Sequence, residues 1–85
     1  MNREITHFNR CVSEAIRSRR EALGFAQEAF ADRIPMHRAD YGRLERGEKN
    51  TQIRTLHRVC VALGITLSEL FAAAEHLQAV RRRGH

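Results

Sequence analysis

Apolar residues recur along this chain at intervals of three and four, and Gly24, Pro35, Gly47 and Gly64 break that rhythm into helix-sized pieces. In the first piece Ile5, Phe8, Val12, Ala15 or Ile16 and the stem of Arg19 share one helical face. Thr6 is placed to cap its start, and Gly24 stands where helices commonly end in the left-handed conformation, so a helix is expected over residues 6–23. A second is expected over residues 27–33, with Ala29, Phe30 and Ile34 as its apolar members. Pro35 stops it, because a proline biases the preceding residue away from helical geometry. A third runs from about 37 to 46 with Tyr41 and Leu44 inward, and residues 47–51 read as a loop by composition. The fourth, over 52–63, places Ile53, Leu56, Val59, Cys60 and Leu63 on one face and ends at Gly64. Thr66 and Glu69 then form a capping box, each satisfying the other's free backbone donor, and the helix they open extends to about Val80. No segment alternates with the period of a strand. The pattern predicts an all-α, compact five-helix fold, one domain over residues 1–80 followed by a basic tail at 81–85.

Eighty-five residues leave room for one small domain, which buries only about 60–65% of the surface of its unfolded chain. No stretch approaches the ~20 apolar residues of a membrane span, and the N-terminus lacks the apolar core of a signal peptide. Two cysteines, Cys11 and Cys60, make no disulfide framework, so a cytoplasmic location is expected. Fifteen Lys and Arg against ten Asp and Glu give +5, and Lys49 is the one cation that is not Arg. Arg forks match phosphates and guanine edges, whereas Lys acts as a point charge. A GC-rich coding sequence enriches Arg as well, and without the run Arg81-Arg82-Arg83 the balance falls to +2. Charge therefore permits a nucleic-acid partner without establishing one. Five aromatic residues and no Trp offer no stacking platform for single strands.

The central residues carry the strongest signal. A short helix, a break at residues 34–36 and a second short helix form a helix-turn-helix arrangement. Around it stand Ile16-Arg17, Arg20-Glu21, Leu23-Gly24-Phe25-Ala26-Gln27-Glu28, Phe30-Ala31, His37-Arg38 and Leu44-Glu45-Arg46-Gly47-Glu48-Lys49-Asn50. The set closes with Ala62-Leu63-Gly64-Ile65-Thr66-Leu67-Ser68-Glu69-Leu70-Phe71. In this order, over residues 16–71, the chain resembles the Cro/phage-repressor (XRE-like) helix-turn-helix transcriptional regulators. The resemblance implies a repressor-like DNA-binding domain with its helix-turn-helix at about 27–46, whose second helix enters the major groove of double-stranded DNA. It also implies a homodimer on a (pseudo)palindromic operator. The run from His37 to Asn50 is similar to the controller proteins of restriction–modification systems, with Tyr41 one place from where those proteins often carry Tyr; a phage-type repressor is the other subtype.

The family's roles carry over residue by residue. Base-reading positions fall on Arg38, Ala39 and Arg43, with His37 and Gly42 flanking; an Arg fork takes O6 and N7 of guanine together, for about 1–3 kcal/mol of discrimination. The plainer reading is that these arginines touch only phosphates. Gln27 corresponds to the family's glutamine that bonds a phosphate or nearby base, or is simply an exposed helix starter. His37, Arg46, Lys49 and Asn50 fall where the family docks on the sugar-phosphate chain, contacts that position without specifying. Glu45 corresponds to a buried acid paired with an arginine of the first helix, here Arg20, a structural bridge rather than an active site.

Three positions depart from the family pattern. Ala26 replaces the usual Ser or Thr cap, Pro35 replaces the turn glycine, and Asp40 puts an acid in the recognition helix. Asp40 points away from DNA, accepts from a cytosine amino group, or pairs with Arg43 at i+3. Phe71, Ala74 and Leu77 form an apolar stripe on the fifth helix, at about 67–80, read either as a dimer seam or as more core for the first helix. His7 with Cys11 and His57 with Cys60 have metal-compatible spacing but lack supporting carboxylates, so no metal is expected. No nucleophile–base set or phosphate-cradling glycine loop appears; neither an enzyme nor a cofactor is expected. Nothing identifies a contact with RNA polymerase. An antitoxin-like module that binds a protein partner is the alternative function.

Overall fold

A computed structural model describes residues 3–83. α1 spans Arg3–Ala22 and so starts ahead of Thr6, which lies inside the helix. Glu4 in its first turn suits the positive end of the helix dipole, and its carboxylate accepts from Arg82 Nη2 at 2.7 Å. That tie comes from the far end of the chain, where local pattern has no view of it. Gly24, at φ +84°, then folds the chain back so that the N–H groups of Gly24 and Phe25 reach the carbonyls of Glu21 and Arg20.

α2 (Gln27–Arg33) follows Ala26, which is extended and offers no side-chain cap. Ile34 keeps helical geometry at its end, its N–H bonding the Phe30 and Ala31 carbonyls, and the Ile34–Pro35 peptide is cis. α3 (Arg38–Glu45) is flanked by His37 and Arg46, one residue shorter at each end than expected. α4 (Ile53–Leu63) closes on left-handed Gly64, and Arg19 Nε donates to the Leu63 carbonyl at 3.3 Å. Both bonds of the capping box form at the start of α5 (Leu67–Arg83): Glu69 N–H to Thr66 Oγ1 at 3.0 Å and Thr66 N–H to Glu69 Oε1 at 2.8 Å. α5 runs past Val80, so Arg81, Arg82 and Arg83 are its last turn rather than a tail. Arg81 is held by Glu14 and Arg82 by Glu4, and cations suit the carbonyl end of a helix. Gly84 and His85 of the expected tail lie outside the described residues.

One apolar cluster joins the five helices, with Cys11, Val12, Ala15 and Ile16 of α1 at its centre. Phe30 is fully buried and meets Phe25 and Tyr41 with ring centroids 5.7 and 5.6 Å away, which pins α2 and α3 together. A fully buried phenylalanine such as Phe30 stabilises by about 1.5–3 kcal/mol through burial alone. Ala31, not Ala29, is the second buried residue of α2. Ile53 is 64% exposed: it sits in the first turn of α4, roughly 70° around the helix from the centre of the buried stripe. On α5, Ala74 is fully buried, and Phe71 and Leu77 pack against the same cluster. Phe71 meets Phe8 at 6.3 Å. This stripe therefore faces α1, and Ala74, expected in a dimer seam, has no surface left to offer a partner. No single helix among the described residues is long and apolar enough to cross a membrane.

Candidate nucleic-acid interface

The bridge behind α3 is built from three helices' worth of side chains. Arg20 on α1 donates from Nε to Glu45 Oε2 at 2.7 Å and from Nη2 to Oε1 at 2.9 Å, while its Nη1 takes the Phe25 carbonyl at 2.7 Å. Gln27 Nε2, at the start of α2, donates to the same Oε1 at 3.1 Å. Arg20 and Glu45 are both buried. Burial pushes the Glu45 carboxyl up, but the bonds from Arg20 and Gln27 and the nearby Tyr41 outweigh it and hold the group below its usual range. Burial also pushes the Tyr41 hydroxyl up; it lies close enough to influence the carboxylate, yet outside the geometry of a proper hydrogen bond. The network locks the start of α2 and the end of α3 onto α1.

That lock presents a shallow groove between α2 and α3, lined by Gln27, Glu28, Arg38, Ala39, Gly42, Arg43 and Arg46. Gly42 lets the walls approach: a methyl there would stand 3.1 Å from Arg46 Nη1 and 3.4 Å from Gln27 Oε1. The expected base-reading residues Arg38, Ala39 and Arg43 thus meet Gln27 and Arg46 in one place. Every arginine of the groove is already ion-paired. Arg38 bonds Asp32 and Glu28, Arg43 bonds Asp40, and Arg46 bonds Glu48. The Arg43 bond, aided by Lys49 and His37 further off, holds the Asp40 carboxyl below its usual range. Of the three alternatives for Asp40, the structure therefore has the pair at i+3.

These side chains are about half exposed, and exposed ion pairs contribute only about 0–1 kcal/mol, so the arginines exchange partners readily for a phosphate or a guanine edge. His37 flanks the groove as the residue before α3. The loop after α3 is tied to α1 through Asn9, whose Nδ2 donates to the Lys49 carbonyl at 3.2 Å. Asn50 does not join the groove; it borders a separate apolar groove with Ile5, Phe8 and Phe71. Sequence reasoning missed Glu28, Asp32 and Glu48 as partners of the arginines. The i,i+4 spacing of Glu28 and Asp32, which puts both acids on one face of α2, was the available signal. Among the described residues, no three His, Cys, Asp or Glu side chains are grouped to hold a metal ion.

Two short helices packed across a tight turn, the second carrying exposed arginines, are the architecture of a helix-turn-helix DNA-binding unit. A helix-turn-helix family model matches residues 16–70. The control protein C.MunI of a Mycoplasma species is 40% identical over 57 residues, covering 67% of this chain and 77% of that protein. Two crystal structures of the clp gene regulator ClgR from Corynebacterium glutamicum are also similar. One has a TM-score of 0.85 at 25% identity, over 91% of this chain and 82% of that one. The other has a TM-score of 0.77 at 26% identity, over 81% and 88%. The chain belongs to the helix-turn-helix family, in its XRE-like branch, and is a DNA-binding transcriptional regulator.

Proposed function

We propose that this regulator works as a cytoplasmic homodimer on a (pseudo)palindromic duplex operator, in the manner of a restriction–modification controller. The observation that carries the reading is the gathering of Arg38, Arg43 and Arg46 around one groove with Gln27 and the side-chain-free Gly42. The controller assignment rests on the likeness to the control protein C.MunI. In this reading α3 enters the major groove, where Arg38, Ala39 and Arg43 face base edges. Gln27, His37, Arg46, Lys49 and Asn50 address the sugar-phosphate chain. Gln27 gives one amide N–H to Glu45 and keeps its second for a phosphate, so a single side chain links the buried bridge to the backbone contact. A two-fold operator is matched by a two-fold protein. With Ala74 inside the core, the surface a second copy covers is the apolar groove of Ile5, Phe8 and Phe71.

Sedimentation of the protein with a selected duplex tests the reading. Two chains per duplex, with the free protein dimeric at micromolar concentration, are expected. A monomer that shifts no duplex contradicts it.

A further inference from the structure

The arginine at the first position of α3 is held in an unusually complete way for an exposed side chain. Asp32 grips Arg38 side-on with both carboxylate oxygens, Oδ1 accepting from Nε at 3.1 Å and Oδ2 from Nη2 at 2.6 Å. Glu28 Oε2 accepts from Nη1 at 3.1 Å. The two acids stand one turn apart on α2 and so point to the same side. They engage different edges of a planar group whose five donors form a fixed fork. A guanidinium gripped on its Nε–Nη2 side still presents the Nη1–Nη2 edge, which suits the O6 and N7 acceptors of guanine. Glu28 occupies Nη1, one of the two donors of that remaining edge. The groove's three arginines thus face four acids, Glu28, Asp32, Asp40 and Glu48, on a protein whose net charge is +5. Attraction to phosphate at this face is muted.

We propose that Asp32 is a specificity-determining positioning residue, which orients the Arg38 fork toward a guanine, and that Glu28 is a built-in competitor that duplex DNA of any sequence must displace. The inference rests on the reading that this groove binds duplex DNA. Without Asp32, Arg38 keeps a single bond to Glu28 that does not fix the plane of its fork, and it reaches phosphates instead, so random duplexes gain while the guanine contact loses. Without Glu28, the grip of Asp32 persists and all duplexes gain alike.

The experiment selects an operator from a random duplex pool with the wild-type protein. It then measures, by fluorescence anisotropy, the affinity of each variant for that operator and for a scrambled duplex. For Asp32→Asn the ratio of operator to scrambled affinity falls about tenfold, the loss falling on one G·C pair per half-site. Its scrambled-duplex affinity rises. For Glu28→Gln both affinities rise by a similar few-fold factor and the ratio holds. In an Arg38→Ala background the Asp32→Asn effect on the ratio disappears, an outcome a merely structural role for Asp32 does not produce. An unchanged ratio in Asp32→Asn, or the same response from both acids, overturns the proposal while leaving DNA binding intact. A wild-type protein that enriches no sequence overturns the DNA-reading groove itself, and this proposal with it.

Discussion

Removing either half of the Arg20–Glu45 bridge should unfold this domain at a temperature well below the wild type. The side chains are 9% and 1% exposed, so each variant strands the partner in a site with little water. Breaking a buried pair costs about 3–5 kcal/mol. Glu45→Ala falls near the low end, about 3 kcal/mol, because Arg20 keeps the Phe25 carbonyl and has the exposed Glu21 carboxylate 3.9 Å away. Arg20→Ala falls higher, about 4 kcal/mol, because the more deeply buried carboxylate is left with Gln27 as its remaining hydrogen bond. At ~4–8 °C per kcal/mol for a domain of this size, Tm drops by roughly 12–24 °C and 16–32 °C. Total stability on the order of 4–13 kcal/mol means that either loss removes a large part of it. The double alanine variant loses less than the sum by about 1–3 kcal/mol, the signature of direct coupling. The apolar pair Arg20→Met with Glu45→Leu recovers most of the loss, since two matched apolar groups leave no charge stranded. Calorimetric melting at neutral pH reads all four. Single variants that melt within about 2 °C of wild type would refute the reasoning.

Replacing Arg38 or Arg43 by Ala should cost about 1–3 kcal/mol against the operator and little against scrambled DNA, whereas Arg46→Ala and Lys49→Ala should weaken both alike. For those two, the slope of log affinity against log salt falls by about 0.9 per lost cation. The pH dependence has a fixed sign. Glu45 titrates lower in the folded protein, so its stabilisation is present above the unfolded value near ~4.3 and is lost as pH falls through the folded value. Urea titrations across that range should show this acid-sensitive part missing in Glu45→Gln. Thr66→Ala removes one bond of the capping box and should cost about 1 kcal/mol, read as a fall of ~4–8 °C in Tm.

Local signals in the sequence carried most of the fold and stopped where distant residues decide. The start of α2 at Gln27, its end at Arg33, the left-handed glycines after α1 and α4 and the Thr66–Glu69 box depend on neighbours within a few positions, and all are in place. The outer ends of α1 and α5 depend on Glu4–Arg82 and Glu14–Arg81, pairs separated by most of the chain, and the local pattern misplaced both. Ala74 shows the same limit, because an apolar stripe does not say which partner covers it, and here α1 does. At the groove, the arginines were legible from the family's motif. So was the Asp40–Arg43 pair, one of the alternatives open at i+3. The partners of Arg38 were not, because Asp32 and Glu28 reach it from another helix, across the turn at residues 34–36.

Methylation interference on the selected operator tests the central claim most directly, since a methyl on guanine N7 blocks the major groove and nothing else. The expected pattern is interfering guanines in two half-sites about one helical turn, ~34 Å, apart, with one guanine per half-site losing its effect in Arg38→Ala and another in Arg43→Ala. A pattern with no interfering guanine, or one that both variants leave untouched, would contradict the placement of α3 in the major groove.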